Sequence, residues 1–161
     1  MFWMFYMLGC AAEIIPADGI WEVTIESDEQ DTDNQCGDGG EGYRKVYRYE
    51  MFQAGSSVEL KIDGETFATG EQRGCFLEYQ SSIYLEDKDP LAEDDSFRWK
   101  IDGEAEVQGA AGGCPDLQDT EFDWLGSETL TVVDTENEDA VEEGCTVQLK
   151  VGGVYIGKGG E

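Results

Sequence analysis

The chain has 161 residues, the length of one domain, and its 37 acidic residues against 10 basic ones give a formal net charge of -27 at pH 7. A surface this acidic repels nucleic-acid phosphates and anionic lipid head groups, which disfavours nucleic-acid binding and electrostatic docking to membranes. The 4 tryptophans, 7 tyrosines and 7 phenylalanines are spread along the chain and argue for a hydrophobic core rather than disorder.

The first nine residues are apolar and uncharged, and Cys10 follows them. They are too few to span a bilayer, and they show neither a helical nor a strand period. The stretch Met7-Leu8-Gly9-Cys10-Ala11 resembles the lipobox of bacterial lipoproteins. The resemblance implies that residues 1–9 are the remnant of a cleaved signal peptide, that Cys10 becomes the lipidated first residue, and that residues 10–18 form a tether. Two other interpretations are a chance apolar terminus and a truncated signal peptide of the ordinary kind.

The residue after Cys10 bears on the location of the protein. It is Ala11 and not aspartate, which by resemblance to the Gram-negative sorting rule implies the outer membrane. We therefore expect a bacterial envelope protein that is held at the outer membrane by an N-terminal lipid anchor.

Alternating apolar and polar residues predict short β-strands over residues 19–161, which we interpret as a single β domain. The clearest strands are Trp21–Glu26, Val58–Ile62, Phe97–Ile101 and Val147–Val151, and further candidates lie at Tyr43–Phe52, Gly74–Gln80, Ser82–Glu86 and Ser127–Asp134. Acidic, glycine-rich segments without a helical period separate them. About eight to ten short antiparallel strands are typical of an all-β barrel or a β-sandwich.

The start of the first strand favours the barrel. Gly19-Ile20-Trp21 resembles the G-x-W signature of lipocalins, which are up-and-down meander barrels. The resemblance implies that Trp21 closes one end of the barrel and packs against a basic residue from a late strand. Lys150 and Lys158 are the candidates for that residue.

The acidic segment after the first strand is a weak candidate for calcium binding. Asp28, Asp31 and Asp33 supply oxygen ligands at intervals, but an EF-hand loop begun at Asp31 would place Cys36 where the turn needs glycine. A generally acidic, solvated surface explains the same residues. We favour that interpretation and predict no metal site.

An internal repeat spans the middle of the chain. Residues 57–75 (SVELKIDGETFATGEQRGC) and 96–114 (SFRWKIDGEAEVQGAAGGC) share nine of nineteen residues at a spacing of 39, and a fainter copy covers Thr146–Gly159. Asp63-Gly64, Asp102-Gly103 and Gly152-Gly153 have the composition of two-residue hairpin turns, because both turn positions need a positive φ. The repeat therefore predicts successive hairpins of one meander.

The cysteine count supports export to an oxidising compartment. Removing Cys10 as a lipid anchor leaves four cysteines, Cys36, Cys75, Cys114 and Cys145, which predict two disulfides. Three connectivities are open. We slightly prefer Cys36 with Cys75 and Cys114 with Cys145, so that each repeat copy is joined to a neighbouring segment.

The inventory of reactive groups argues against an enzyme. The chain has no histidine, so a Ser-His-Asp or Cys-His arrangement is excluded, and oxidised cysteines provide no thiol nucleophile. Pairs of carboxylates remain available, but among 37 acids such a pair has no specificity. We expect no catalytic residues and no cofactor.

Two classes of function stay open. In the first, the barrel is a structural or interaction module whose aromatic residues fill the interior and whose contacts with an envelope protein lie in its loops. In the second, Trp21, Tyr47, Tyr49 and Trp99 line a cavity for a small ligand. We favour the first class, because the faces that carry Trp21 and Trp99 interleave no polar group, which a ligand site normally supplies.

Overall fold

The computed structural model describes residues 18–27, 44–81, 85–88, 96–109, 113–115, 121–135 and 143–158, and for 85–88, 96–99 and 134–135 it describes the backbone only. These residues form nine β-strands. The strands are β1 (Gly19–Ser27), β2 (Arg44–Ala54), β3 (Ser57–Ile62), β4 (Glu65–Arg73), β5 (Phe76–Ser81), β6 (Leu85–Lys88), β7 (Ser96–Gly109), β8 (Phe122–Thr135) and β9 (Thr146–Gly157).

The strands close into an antiparallel meander barrel. Each strand from β1 to β4 pairs with the next, β7 pairs with β8, and β8 pairs with β9. Pairing of β5 with β7 and of β9 with β1 closes the ring. The short strand β6 pairs with the start of β7 and β5 pairs with a later part of it, so β5 and β6 follow one another along β7. The wall therefore has eight strands, which confirms the barrel over the β-sandwich.

The alternating patterns of the sequence correspond to the observed strands. All four of the clearest predicted segments lie inside β1, β3, β7 and β9. In β9, Val147, Leu149 and Val151 are buried, whereas Gln148 and Lys150 are exposed. One side of each strand thus faces the barrel interior.

The two ends of the barrel differ in their connections. At the tether end, β1 begins at Gly19 and β9 ends at Gly157, and segments 55–56, 74–75 and 110–121 join neighbouring strands. At the far end, the strand ends are joined by segments 28–43, 63–64, 82–95 and 136–145. The names tether end and far end are used in this sense below.

The predicted hairpin turns are confirmed at one of three places. Asp63 and Gly64 have φ values of 52° and 81° and connect β3 to β4. The other two predictions are wrong: Asp102-Gly103 lies inside the 14-residue strand β7, and Gly152-Gly153 lies inside β9. At Gly153, a Cβ would lie 3.1 Å from the Trp124 Cβ. This glycine therefore serves close packing and not a turn.

Candidate functional site

The barrel interior contains one buried ionisable side chain that stands out, Glu128 of β8. Among the described side chains, Gln72 and Glu128 are the buried residues that are not hydrophobic, and Glu128 is 1% exposed. The inward positions on its strand are alternate residues, so Glu128 lies in the same row as Trp124, Leu130 and Val132, all of which are buried. Strand periodicity, and not a loop, therefore directs this carboxyl into the core.

Two tyrosines from other parts of the wall approach the Glu128 carboxyl group. The Tyr79 hydroxyl of β5 donates to Glu128 Oε1 at 2.5 Å, and the Tyr49 hydroxyl of β2 approaches the same oxygen at 3.5 Å. Both tyrosines are buried. The carboxyl group therefore connects three strands that are not direct neighbours in the sheet: β7 lies between β5 and β8, and β1 and β9 lie between β2 and β8.

Burial dominates the protonation of this cluster. It raises the pKa of Glu128 to about 7, although the hydrogen bonds from Tyr79 and Tyr49 act in the opposite direction. Burial, followed by the negative charge of Glu128, raises the pKa of Tyr79 well above its ordinary value. In the described part of the interior, Lys45 is the cation at an inward, half-buried position, and it lies near the far end of β2.

Aromatic rings fill the space toward the tether end. Trp124 has its ring centroid 5.9 Å from Trp21, 5.9 Å from Tyr49 and 5.7 Å from Tyr79, with edge-to-face geometry in each pair. Tyr49 also contacts Phe67 at 4.7 Å. These rings are buried, and contacts of this kind are favourable beyond the area that they bury.

The Trp124 indole carries the second polar feature of the interior. Its Nε1 is buried and has no hydrogen-bond acceptor among the described residues. A buried N–H group without an acceptor costs free energy. The interior thus combines a carboxyl group, two hydroxyls and an indole N–H group.

A glycine makes room for this cluster. Gly103 of β7 pairs with Tyr79 on one side and with Glu128 on the other. A Cβ at Gly103 would lie 2.1 Å from Cζ of the Tyr79 ring, so the ring occupies the place of a side chain. Gly103 therefore allows Tyr79 to cross β7 and reach Glu128.

The sequence reasoning missed this cluster. The faces with Trp21, Val23 and Ile25 on β1 and Ile101 on β7 are apolar as expected, but the polar groups come from β2, β5 and β8. A signal was available in WLGSETLTVV (residues 124–133), where a period of two puts Glu128 on the side of Trp124 and Leu130. The signal was overlooked because the chain is so acidic that any single glutamate is assigned to the surface by default.

The basic partner that the lipocalin resemblance implied for Trp21 is not at the expected places. Lys150 is exposed and lies between the inward residues Leu149 and Val151, so it is on the outer surface of β9. Lys158 is exposed at the tether end, where it lines a depression with Gly19. Aromatic rings contact Trp21 instead, with Tyr155 at 5.2 Å and Trp124 at 5.9 Å.

The predicted disulfide cysteines are partly placed. Cys75 and Cys114 form a disulfide with 5.3 Å between their Cα atoms. The preferred connectivity is therefore wrong, because the two repeat copies are bonded to each other through equivalent cysteines. Cys145 is also disulfide-bonded. Cys36 lies outside the described residues.

Other predicted sites fall outside the described residues as well. These are the lipidation residue Cys10 and the calcium candidates Asp28, Asp31 and Asp33. The backbone of Trp99 belongs to β7, but its side chain is not described. Within the described ranges, no group of three or more cysteine, aspartate or glutamate side chains could hold a metal ion.

The outer surface has an acidic depression of about 720 Å³ across β4, β5, β7, β8 and β9. Its ionised residues are Glu71, Arg73, Glu78, Asp102 and Glu104. Arg73 Nη2 lies 3.0 Å from Glu71 Oε2, so this one cation is held by the rim. Asp102 is paired with Lys100, whose Nζ lies 2.9 Å from Asp102 Oδ2. The remaining carboxylates, Glu78 and Glu104, give the depression a negative potential that suits basic groups.

Comparisons with known proteins add no relative. No family model matches the chain, and no curated protein or solved structure matches it either. In the described part of the chain, no helix is long and apolar enough to cross a membrane.

Proposed function

We propose that this protein is a lipid-anchored module of the bacterial outer membrane, that it has no enzymatic activity, and that it contacts other envelope components through its outer surface and far end. The observation that carries the proposal is the occupied interior. Trp21, Trp124 and Tyr49 are almost completely buried, and Trp21 and Tyr49 both contact Trp124 inside the barrel. Small barrels with such interiors use their outer surface and loops for binding.

The absence of enzymatic activity is argued from access. Glu128 has the raised pKa that is common in acid–base catalysts. However, its side chain is 1% exposed, and the one oxygen with described partners faces two tyrosine hydroxyls. In the described part of the barrel, that oxygen is therefore enclosed by other side chains and does not face solvent. A structural role therefore fits the cluster better than catalysis.

The anchor is argued from the lipobox-like stretch and from the start of the fold. Cys10 precedes Asp18, the first described residue, by only eight positions. Asp18 is tied to the barrel, because its Oδ1 accepts a hydrogen bond from the Gln53 backbone N–H group. A lipid on Cys10 would therefore hold the tether end close to a membrane.

Expression with a verified start codon in a Gram-negative host tests this proposal. We expect the N-terminal peptide to begin at Cys10 with the mass of attached acyl chains, and the protein to sediment with outer membranes. The Cys10→Ser variant should appear in the soluble fraction. A wild-type chain without acyl mass, or a Cys10→Ser variant that stays with the membrane, would contradict the proposal.

A second candidate is a barrel that binds a small ligand. Its support is specific: the Glu128 carboxyl, the Tyr49 and Tyr79 hydroxyls and the Trp124 indole N–H group converge inside the barrel. Such convergent polar groups in an apolar lining are typical of ligand sites. Titration with 1-anilinonaphthalene-8-sulfonate separates the candidates. Saturable binding that Glu128→Gln abolishes would favour the ligand barrel, and weak binding that is insensitive to this substitution would favour the filled module.

A further inference from the structure

The exposed apolar side chains of the described barrel are concentrated near one end. Six large hydrophobic residues are exposed, and five of them lie in the half toward the tether end. These five form what we call the apolar band: Phe52, Phe76, Leu125, Val154 and Ile156. Their exposed fractions range from 47% at Phe52 to 60% at Phe76 and Ile156. The sixth, Val46, lies toward the far end.

The band runs around much of the barrel. Phe76 of β5 and Leu125 of β8 both pair with Glu106 of the intervening strand, and they line one outer depression of about 410 Å³. A register shift in the pairing of β1 with β9 leaves Ile156 without a pairing partner on β1. Phe52 lines a second depression of about 460 Å³ with Ile20 and Lys158. Apolar side chains therefore surround the place where the tether enters the fold.

The acidic residues of the strand connections show the opposite distribution. On the strands themselves, acidic residues also lie beside the band, because Glu106 pairs with Phe76 and Leu125, and Glu22 and Asp123 pair with Val154. Counted along the sequence, the four segments that join wall strands at the far end, one of which includes β6, contain 18 of the 37 acidic residues, whereas the three connections at the tether end contain 3. Two cations accompany Phe52 of the band. Lys158 lines the same depression, together with Asp18 and Glu50, and the Lys61 Nζ is 4.6 Å from the centroid of the Phe52 ring and 3.7 Å from Glu59 Oε2. Lysines next to exposed aromatic and aliphatic side chains suit a lipid interface, where phosphates meet acyl chains.

We propose that the apolar band is a membrane-contact surface on which the anchored barrel stands, with its tether end on the lipid and its acidic far end directed away. This inference rests on the proposed lipid anchor at Cys10. It adds an orientation and names the surface that produces it.

Dimensions support a single orientation. The eight residue steps from Cys10 to Asp18 reach at most about 29 Å when fully extended. The 12 residues of β9 span roughly 40 Å along the strand, or about 30 Å along the axis of a barrel with tilted strands. To place the far end on the same bilayer, the tether would have to lie fully extended along the whole barrel wall, which conformational entropy disfavours. Repulsion between the acidic far end and anionic lipids acts in the same direction.

The test uses the acylated full-length chain in vesicles of three parts phosphatidylethanolamine to one part phosphatidylglycerol, with the Cys10→Ser chain in solution as the reference. Hydroxyl-radical footprinting reports the solvent exposure of each apolar side chain. We expect the oxidation of Phe52, Phe76 and Ile156 to fall at least threefold on the vesicles, and that of Val46 to stay unchanged. Equal protection of Val46, or no protection of the band, would overturn the inference.

A pair of variants separates orientation from anchoring. The double variant Phe52→Ser with Ile156→Ser changes exposed side chains and should still float with the vesicles, but Phe76 should regain most of its reactivity. The matched control Val46→Ser should leave the footprint of the band unchanged. An unchanged Phe76 footprint in the double variant would overturn the inference while the anchor stands. If the wild-type chain carries no acyl chains by mass spectrometry and does not float with the vesicles, both the proposed anchor and this inference are wrong.

Discussion

Residues 57–75 and 96–114 share nine of nineteen residues, including the stretch Lys-Ile-Asp-Gly-Glu, but they fold differently. The first copy is a hairpin: β3 ends at Ile62, Asp63 and Gly64 adopt positive φ, and β4 begins at Glu65. The second copy continues through Asp102 and Gly103 as one strand of 14 residues. The same five residues therefore allow both a turn and a strand, and the surroundings choose between them.

The surroundings differ in what covers the glycine. Gly64 has no atom within 4 Å of the place where a Cβ would stand. At Gly103 the Tyr79 ring fills that place, and the ring carries its hydroxyl to Glu128, the register partner of Gly103. Asp102 and Gly103 also have register partners on both β5 and β8, whereas Asp63 and Gly64 form a connection between two strands. Tertiary contacts can thus override the strongest local turn signal.

Removing the disulfide that joins the two repeat copies should cause the largest loss of stability. The disulfide joins Cys75 and Cys114, which end the copies at equivalent positions and are 39 residues apart. The chain-entropy relation gives about 4 kcal/mol for a loop of this length. We expect Cys75→Ser with Cys114→Ser to lower the free energy of unfolding in urea by about that amount. A loss below about 1 kcal/mol would indicate that the disulfide contributes little to stability.

The next largest change in stability involves Glu128, the register partner of Gly103, and depends on pH. The pKa of Glu128 is raised from 4.5 to about 7 in the folded state, so the folded protein binds this proton more tightly than the unfolded chain does. Protonation of Glu128 therefore contributes about 3 kcal/mol to the free energy of unfolding. This contribution is complete below about pH 4.5, decreases as the pH rises to about 7, and is absent at higher pH.

The variant Glu128→Gln tests this pH dependence. It should keep the hydrogen bond to Tyr79 and should be more stable than the wild type at pH 8, by an amount that disappears at pH 4.5. Urea unfolding across this range is the measurement. The variant Glu104→Gln is the control, because Glu104 is exposed on the adjacent strand. A Glu128→Gln profile that parallels the wild type would contradict the assignment.

Adding one methyl group to the second copy should have a smaller effect. Gly103→Ala places a Cβ 2.1 Å from the buried Tyr79 ring, which cannot move without losing its bond to Glu128. Overpacking of this kind costs about 2 kcal/mol. We expect that loss in the free energy of unfolding, together with a change in tryptophan fluorescence, because Tyr79 contacts Trp124. An unperturbed Gly103→Ala spectrum would show that the ring is not confined.

The same substitution in the first copy should have the smallest effect. Gly64→Ala meets no atom, so its cost comes only from the positive φ of 81° and should be about 1 kcal/mol. Tryptophan fluorescence should not change. The two alanine variants form a matched pair, since they alter equivalent positions of the repeat. A Gly64→Ala variant that is less stable than Gly103→Ala would reverse our explanation of the two conformations.

The sequence predicted the fold correctly where the alternation of apolar and polar residues matches the inward and outward sides of a strand in the barrel. Period-two alternation located β1, β3, β7 and β9 correctly, because an inward and an outward side exist in any closed sheet. The meander and its barrel form followed from short strands and a G-x-W start. Glycine pairs were ambiguous, because glycine serves both turns with positive φ and places where side chains come close.

The candidate site was less predictable than the fold. Glu128 lies at an inward position that the alternation of β8 indicates, but its partners Tyr49 and Tyr79 come from strands distant in sequence. No local pattern reports which hydroxyls meet a given carboxyl group across a barrel. The disulfide connectivity was missed for the same reason: four cysteines correctly predicted disulfide bonding, but distance along the chain does not define distance in space.

The sequence by itself determined that the protein is an all-β domain with an inward apolar side on each strand, because hydrophobic alternation acts locally and is independent of the neighbouring strands. Only the tertiary structure decided that one copy of the repeat turns and the other runs straight, that Glu128 is buried beside two tyrosines, and that Cys75 meets Cys114. These outcomes depend on which strands become neighbours when the barrel closes. Closure is a property of the whole chain, since it needs β5 to pair with β7 and β9 to pair with β1.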